Sequence, residues 1–344
     1  MRASLARRAR ASENPAGALL DARGASTILG TLPDHPVAPI APSPRSLFGP
    51  RGAVLAAPGG PLFVCDTGHH RLLVWQQSPA TDGAAADLVI GQPDFFTEGR
   101  NAKADVHAAS LNVPTGIAVT GGVLAVADAW NHRVLLWHGL PRRSNQPADV
   151  VLGQADFAGG VANRGGETRA DTMNWPYGVT LHEGRLYVAD TGNRRVLAWD
   201  AVPQTNGAPA DLILEGALRW PHAVAVHGER LFVADAGVGR IVAWSGSEFE
   251  GMRGEELGMP YGVAIYGAGL VVADTANSRL LGYALDHGPA RRVAGQPDLT
   301  ATGENRWGPA GRDTLCWPYG VAACGSTLVV ADSGNNRVLL WNGT

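Results

Sequence analysis

The sequence is poor in charge, in lysine and in cysteine. Only 17% of its 344 residues are charged and the formal net charge is −3, so no global basic field is available to attract nucleic acid. Lys103 is the single lysine. The three cysteines, Cys65, Cys316 and Cys324, are too few and too widely spaced for a disulfide framework or a Cys-x-x-Cys metal site. No apolar run approaches the roughly eighteen residues that a membrane-spanning helix needs.

The N-terminal segment is basic and lacks the features of a secretory leader. Its first twelve residues carry four arginines and no acidic residue, and no apolar segment follows them. We therefore predict a disordered basic arm over residues 1–23, a single folded domain over residues 24–344 and a cytoplasmic location.

A repeat accounts for most of the remaining sequence. Six segments share an apolar residue, a proline, a variable residue, Gly or Ala and a short apolar run, followed by a second apolar run ending in Asp, a polar turn and Arg. The short runs are broken by Gly, Asn and Asp, a pattern that predicts strands joined by tight turns. The segments begin at Gly49, Val113, Trp175, Trp220, Met259 and Trp317.

The repeat predicts an all-β fold, a six-bladed β-propeller. Each copy contains three strands, and most copies are followed by a fourth, such as Asp87–Gln92. The sixth copy reaches the C-terminus without a fourth strand, whereas Ser26–Thr31 resembles Asp87–Gln92. We therefore predict that this N-terminal strand completes the last blade and closes the ring. The polar sequence after Trp244 predicts that the outer strand of the fourth blade is degenerate or missing.

These segments resemble the NHL repeat. The turns Asp190–Arg195 and Asp332–Arg337 are close matches, and the resemblance extends over about residues 26–344. It implies a six-bladed propeller of the NHL type. It does not imply one activity, because NHL propellers include enzymes, sensor ectodomains and platforms that bind protein or RNA.

An Asp and an Arg five residues apart recur in every copy. A catalytic group is needed once, whereas a turn has to be fixed in every blade, so we interpret these pairs as structural clamps. The Asp is expected to accept backbone N–H groups of the turn, and the Arg to fold back onto the carboxylate or onto carbonyl groups of the turn. The pairs are Asp66 and Arg71, Asp128 and Arg133, Asp190 and Arg195, Asp235 and Arg240, Asp274 and Arg279, and Asp332 and Arg337.

The residue after each repeated proline varies while its framework does not. It begins the innermost strand, so its side chain is expected at the mouth of the central funnel. Three phenols, one imidazole and one guanidinium at that place could bind an anionic or aromatic ligand, or could simply plug the channel. The six residues are Arg51, Thr115, Tyr177, His222, Tyr261 and Tyr319.

Histidines are the candidate metal ligands, and a divalent metal is the one cofactor that the sequence suggests. The resemblance extends to amidating lyases of the NHL type, which hold zinc with histidines near the funnel, yet His222 is the only histidine among the six funnel positions. His69, His70 and His132 lie in the turns of the first two copies and form a second candidate site.

The leading functional interpretation is a non-enzymatic binding module. It would present the funnel mouth and the long loops 93–112, 155–174 and 297–316 to a small molecule or a protein partner. The alternative is a metal-assisted lyase or hydrolase in the central funnel, with His222 as ligand or base and Arg51 as anion clamp. Neither nucleic acid nor a membrane is expected as a partner, and a monomer is predicted.

Overall fold

The apolar runs of each copy fold into an antiparallel sheet of four strands, and six such sheets form the blades of a propeller. The computed structural model describes residues 17–33, 41–253, 257–286 and 288–343, and no α-helix occurs among them. No helix in this described part of the chain is long and apolar enough to cross a membrane.

The N-terminus contributes two strands, and the first three blades follow it in chain order, inner strand first. The N-terminal strands are β1 (Gly17–Ala18) and β2 (Thr27–Gly30). The first blade comprises β3 (Gly52–Leu55), β4 (Leu62–Asp66), β5 (Arg71–Trp75) and β6 (Leu88–Ile90). The second comprises β7 (Pro114–Thr120), β8 (Val123–Asp128), β9 (Arg133–Trp137) and β10 (Val150–Leu152). The third comprises β11 (Pro176–His182), β12 (Arg185–Asp190), β13 (Arg195–Trp199) and β14 (Leu212–Leu214).

The last three blades repeat this order. The fourth comprises β15 (Pro221–His227), β16 (Arg230–Asp235), β17 (Arg240–Ser245) and β18 (Glu248–Arg253). The fifth comprises β19 (Pro260–Tyr266), β20 (Gly269–Asp274), β21 (Arg279–Ala284) and β22 (Arg292–Ala294). The sixth comprises β23 (Pro318–Cys324), β24 (Thr327–Asp332) and β25 (Arg337–Asn342).

The outer strand of the fourth blade is present, so the prediction that it is degenerate or missing is wrong. β18 pairs antiparallel with β17. The pairing starts with Ser245 opposite Glu248 at the turn and ends with Ile241 opposite Arg253, with one register shift between them. Gly246 lies in the tight turn between them at φ 55°, a conformation that glycine adopts without strain. A direct hairpin thus replaces the long link that other blades use, and a polar sequence suffices for an outer strand.

The N-terminal strand closes the ring, as predicted. β2 pairs antiparallel with β25 as the outer strand of the sixth blade, with Ile28 opposite Leu339 and Leu29 opposite Val338. The side chains of Ile28 and Leu29 are fully buried. The last blade therefore contains strands from both ends of the described chain.

Part of the predicted basic arm over residues 1–23 lies in the propeller. Residues 1–16 lie outside the described residues, but β1 pairs in parallel with β22 and adds a fifth strand to the fifth blade. Leu19 and Leu20 are buried, and Leu20 bridges to Gly343. Two consecutive strands from the N-terminus thus cover the outer edges of two neighbouring blades.

The hydrophobic core consists of six clusters, and each cluster lies between two neighbouring blades. One of them joins Leu29 and Val338 of the sixth blade to Val64 and Leu73 of the first, across the point of closure. The other five clusters join the remaining pairs of neighbours around the ring. Burial of apolar side chains therefore holds the blades to one another.

Candidate functional site

Each predicted clamp begins at a fully buried Asp at the end of the second strand of its blade. In five blades a short 3₁₀ turn follows the Asp, and Nε of the Arg donates to its Oδ2 at 2.7–2.8 Å. The turns are Thr67–His69, Ala129–Asn131, Thr191–Asn193, Thr275–Asn277 and Ser333–Asn335. The five pairs are Asp66 and Arg71, Asp128 and Arg133, Asp190 and Arg195, Asp274 and Arg279, and Asp332 and Arg337.

The clamps hold the loops between blades rather than the turns alone. Oδ1 of Asp128 accepts the backbone N–H of Asn112, which lies just before the inner strand, at 2.6 Å. The Arg133 guanidinium donates to the His107 carbonyl in the loop before its blade and to the Phe157 carbonyl in the loop after it. The clamps of the first two blades therefore each link two successive loops, and burial raises the pKa of Asp128 despite its ion pair.

The fourth blade departs from this arrangement. Asp235 accepts backbone N–H groups from Arg219, Trp220 and Gly237 at 2.6–2.9 Å. Arg240 is half-buried at the start of β17. The carboxylate here binds one N–H of the turn itself, the role that the sequence predicted for all six, and two N–H groups of the loop before β15.

Matching asparagines pin the three long loops. Asn101 exchanges side-chain amide hydrogen bonds with Asn131 in the turn of the next blade, at 2.7 and 3.3 Å. Asn163 pairs in the same way with Asn193, and Asn305 with Asn335. The loop-rich face, on which these loops and the turns between second and third strands emerge, is therefore a fixed surface.

The turn histidines bind other groups of the protein, a carboxylate in one case and backbone N–H groups in two. His69 is fully buried, and its Nδ1 lies 2.8 Å from Oδ2 of Asp66. Nδ1 of His70 accepts the backbone N–H of Val113 at 3.1 Å, and Nδ1 of His132 accepts that of Trp175 at the same distance. Burial lowers the pKa of both His70 and His132. In the described part of the chain, no group of three or more His, Cys, Asp or Glu side chains is arranged to hold a metal ion.

The residues after the prolines come together at the centre of the propeller. The rings of His222 and Tyr261 stack with centroids 4.2 Å apart, and Tyr261 lies 4.6 Å from Tyr319. Tyr177 lies 4.9 Å from His222 on its other side. The Arg51 guanidinium lies 5.0 Å from the Tyr319 ring centroid and 5.8 Å from that of Tyr177. We call these five residues, with Thr115, the central ring.

Burial fixes the protonation of the central ring. It lowers the pKa of His222 to about 4, and the carbonyl of Trp220 accepts the proton on Nδ1, so the ring is neutral at pH 7 with Nε2 as an acceptor. Burial and the neighbouring Tyr319 raise the pKa of Tyr261 to about 12, so its phenol stays protonated. Thr115 donates to the Tyr177 carbonyl at 2.8 Å. At neutral pH, Arg51 is therefore the one formally charged member.

The central ring separates two cavities. On one side lies a channel of about 350 Å³ between the six inner strands. On the other lies a vestibule of about 90 Å³ on the loop-rich face, bounded by the central ring except Thr115 and by Trp175 and Trp220. The ring side chains can thus be reached from both sides.

Sequence reasoning missed the residues that precede the prolines. Trp175, Trp220, Met259 and Trp317 occupy this position in four successive copies and are 41–48% exposed. Three of them adopt left-handed backbone conformations, with φ of 48–55°, although they are not glycines. We call these four residues the apolar rim. The signal was a large apolar side chain placed at the end of a loop, where a polar residue is usual.

Comparisons with known proteins agree with this architecture. A family model described as the NHL repeat matches residues 111–135, and a search of curated protein sequences gave no significant match. Three similar solved structures, all under 25% identical and so informative about the fold alone, are a chain of the nidogen/laminin complex, the WD40 β-propeller domain of Doa1 and Kuenenia stuttgartiensis hydrazine synthase. The nidogen/laminin chain has a TM-score of 0.51 and 17% identity, over 83% of this chain and 85% of that one. The Doa1 domain has a TM-score of 0.53 and 9% identity, over 93% and 96% of the two chains. The hydrazine synthase has a TM-score of 0.52 and 13% identity, over 92% and 99%. The chain is therefore a six-bladed β-propeller, and the NHL-repeat model matches the second of its six copies.

Proposed function

We propose that the chain is a non-enzymatic binding module whose loop-rich face receives a protein partner around the funnel mouth. The observation that carries this proposal is the apolar rim. Four large apolar side chains stand partly exposed at equivalent places beside the vestibule, two of them forming its walls. Exposed apolar groups gathered on one face are typical of interaction sites, whereas isolated ones are ordinary.

The surroundings of the apolar rim support the same interpretation. Most other large apolar side chains that are more than one-third exposed also lie on this face. One of them is Trp130, whose ring centroid lies 5.1 Å from the Arg100 guanidinium carbon. Tryptophan and arginine are enriched among the residues that dominate binding energy at protein interfaces. Because clamps and asparagine pairs already fix the loops, binding loses little conformational entropy there.

The test compares two variants that each remove exposed aromatic surface. Trp175→Ser with Trp317→Ser removes two members of the apolar rim, whereas Phe249→Ser removes an equally exposed aromatic residue from the outer edge of the fourth blade. Proteins retained by the immobilised full chain from a lysate of its source are identified and purified. Their affinities are then measured against wild type and both variants.

We expect the rim variant to bind the purified partner at least tenfold more weakly than wild type, because each aromatic anchor contributes substantially. Phe249→Ser should bind as wild type does. Equal affinity of wild type and the rim variant, or retention of no protein above background, would refute docking at the apolar rim.

A further inference from the structure

Arg51 is a half-buried cation without a carboxylate partner in the described chain. Its contacts are the faces of Tyr177 and Tyr319 and one 3.4 Å approach to the Tyr177 hydroxyl. The fully buried arginines of the repeat behave differently, since Arg133, for example, is paired with Asp128 at 2.8 Å. Desolvating a charge is unfavourable unless an opposite charge compensates it. An anion bound at the centre of the propeller would therefore compensate the charge of Arg51.

The channel that starts at Arg51 has aliphatic walls. Among the residues that line it, Arg51 is the only one with a permanently charged side chain, and most others are Ala, Val, Ile or Leu of the inner strands. The walls extend from the central ring to Leu181, Val226 and Ile265 near the ends of those strands. Its volume of about 350 Å³ lies within the range of small-molecule pockets.

We propose that this channel binds a medium-chain aliphatic carboxylate. Its carboxylate accepts hydrogen bonds from the Arg51 guanidinium and from phenol groups of the central ring, and its alkyl chain lies between the inner strands. Tyr261 is suited to this role because its protonated hydroxyl is a donor. The site lies on the opposite side of the central ring from the apolar rim, so it adds to the proposed docking of a protein.

Isothermal titration of the full chain at pH 7.5 tests the proposal with acetate, butanoate, hexanoate and octanoate, each below its micellar concentration. We expect the affinity to rise about threefold to fourfold for each methylene that enters the channel, since each removes apolar surface from water. Octan-1-ol should bind at least tenfold more weakly than octanoate. The proposal would be overturned if octanoate bound no more tightly than acetate, or if octan-1-ol bound as tightly as octanoate.

Variants test whether Arg51 binds the carboxylate end of the ligand and whether the alkyl chain lies in the channel. Arg51→Met should lower the affinity for octanoate at least tenfold and leave the affinity for octan-1-ol unchanged. The control Arg142→Met, at an exposed position far from the channel, should change neither affinity. The octanol titration also shows whether Arg51→Met is folded. Octanoate binding that survives Arg51→Met, or that is lost in the double variant Trp175→Ser and Trp317→Ser, would contradict binding in the channel.

Discussion

His222 lies at the most crowded point of the central ring, stacked on Tyr261 and buried to 8% exposure. Its Nδ1 donates a hydrogen bond to the Trp220 carbonyl at 2.9 Å. An imidazolium at this place would lose hydration and would face the Arg51 charge, so burial and Arg51 both favour the neutral ring. His222 therefore couples the stability of the centre to pH.

The first prediction concerns this coupling. In the unfolded chain the imidazole takes up a proton near pH 6.5, but in the folded chain only near pH 4. The unfolded state thus binds more protons in this window, and the stabilisation, full above pH 6.5, is lost as pH falls towards 4, by up to about 3 kcal/mol. We expect His222→Tyr to flatten this part of the pH profile of unfolding free energy, measured by urea denaturation. His227→Tyr, exposed at the other end of β15, should retain the wild-type slope, and an unchanged slope in His222→Tyr would contradict the assignment.

Residue patterns predicted some contacts and not others. The spacing of Asp128 and Arg133 predicted their contact because both sit within one hairpin. It could not predict that Arg133 reaches the Phe157 carbonyl, because that distance depends on how neighbouring blades rotate against each other. The apolar rim was missed for a related reason, since Trp175, in its left-handed conformation, donates its backbone N–H to Nδ1 of His132 in the preceding blade, and that contact depends on how the blades are arranged.

At the scale of elements, β1 and β2 are neighbours in sequence but differ in what they contribute. β2 buries Ile28 and Leu29 completely and pairs with Arg337–Leu340 of β25 as the outer strand of the sixth blade. β1 is two exposed residues long and pairs in parallel with β22. Sequence similarity between outer strands predicted β2, whereas nothing periodic marks β1.

The second prediction compares deletions of these two strands. Deletion of residues 2–32 removes β2, exposes the edge of β25 and opens the cluster that joins the first and sixth blades, so we expect aggregation. Deletion of residues 2–18 removes β1 but keeps the buried Leu19 and Leu20, and its product should elute from a sizing column like the full chain. A soluble protein of normal size after the longer deletion would show that closure by β2 is dispensable.

At the scale of the molecule, no blade has an apolar core of its own in the described structure. Each cluster needs two neighbours, and the last neighbour of the sixth blade is the first blade. An open row of repeats can fray from its ends, whereas a closed row has none. Loss of one blade should therefore expose apolar surface on the two blades beside it.

The third prediction is a single cooperative unfolding transition. Five blades carry a buried tryptophan at the end of the third strand, so fluorescence reports on most of the ring. These residues are Trp75, Trp137, Trp199, Trp244 and Trp341. We expect the urea transitions followed by tryptophan fluorescence and by far-ultraviolet circular dichroism to coincide. Transitions separated by more than their experimental error would indicate that groups of blades unfold independently.

The clamps and the central ring occupy nearby positions of the same repeat, but the clamp residues are nearly the same in every blade whereas the central-ring residues vary. Asp128 and Arg133 have near-copies in other blades, whereas Arg51, Thr115 and Tyr177 differ from one another at one equivalent position. Duplication of an ancestral blade would have copied both, and only the second set was free to diverge without weakening the ring. Exchanges among these six positions are therefore a route by which related proteins could acquire new ligands while inheriting the same scaffold.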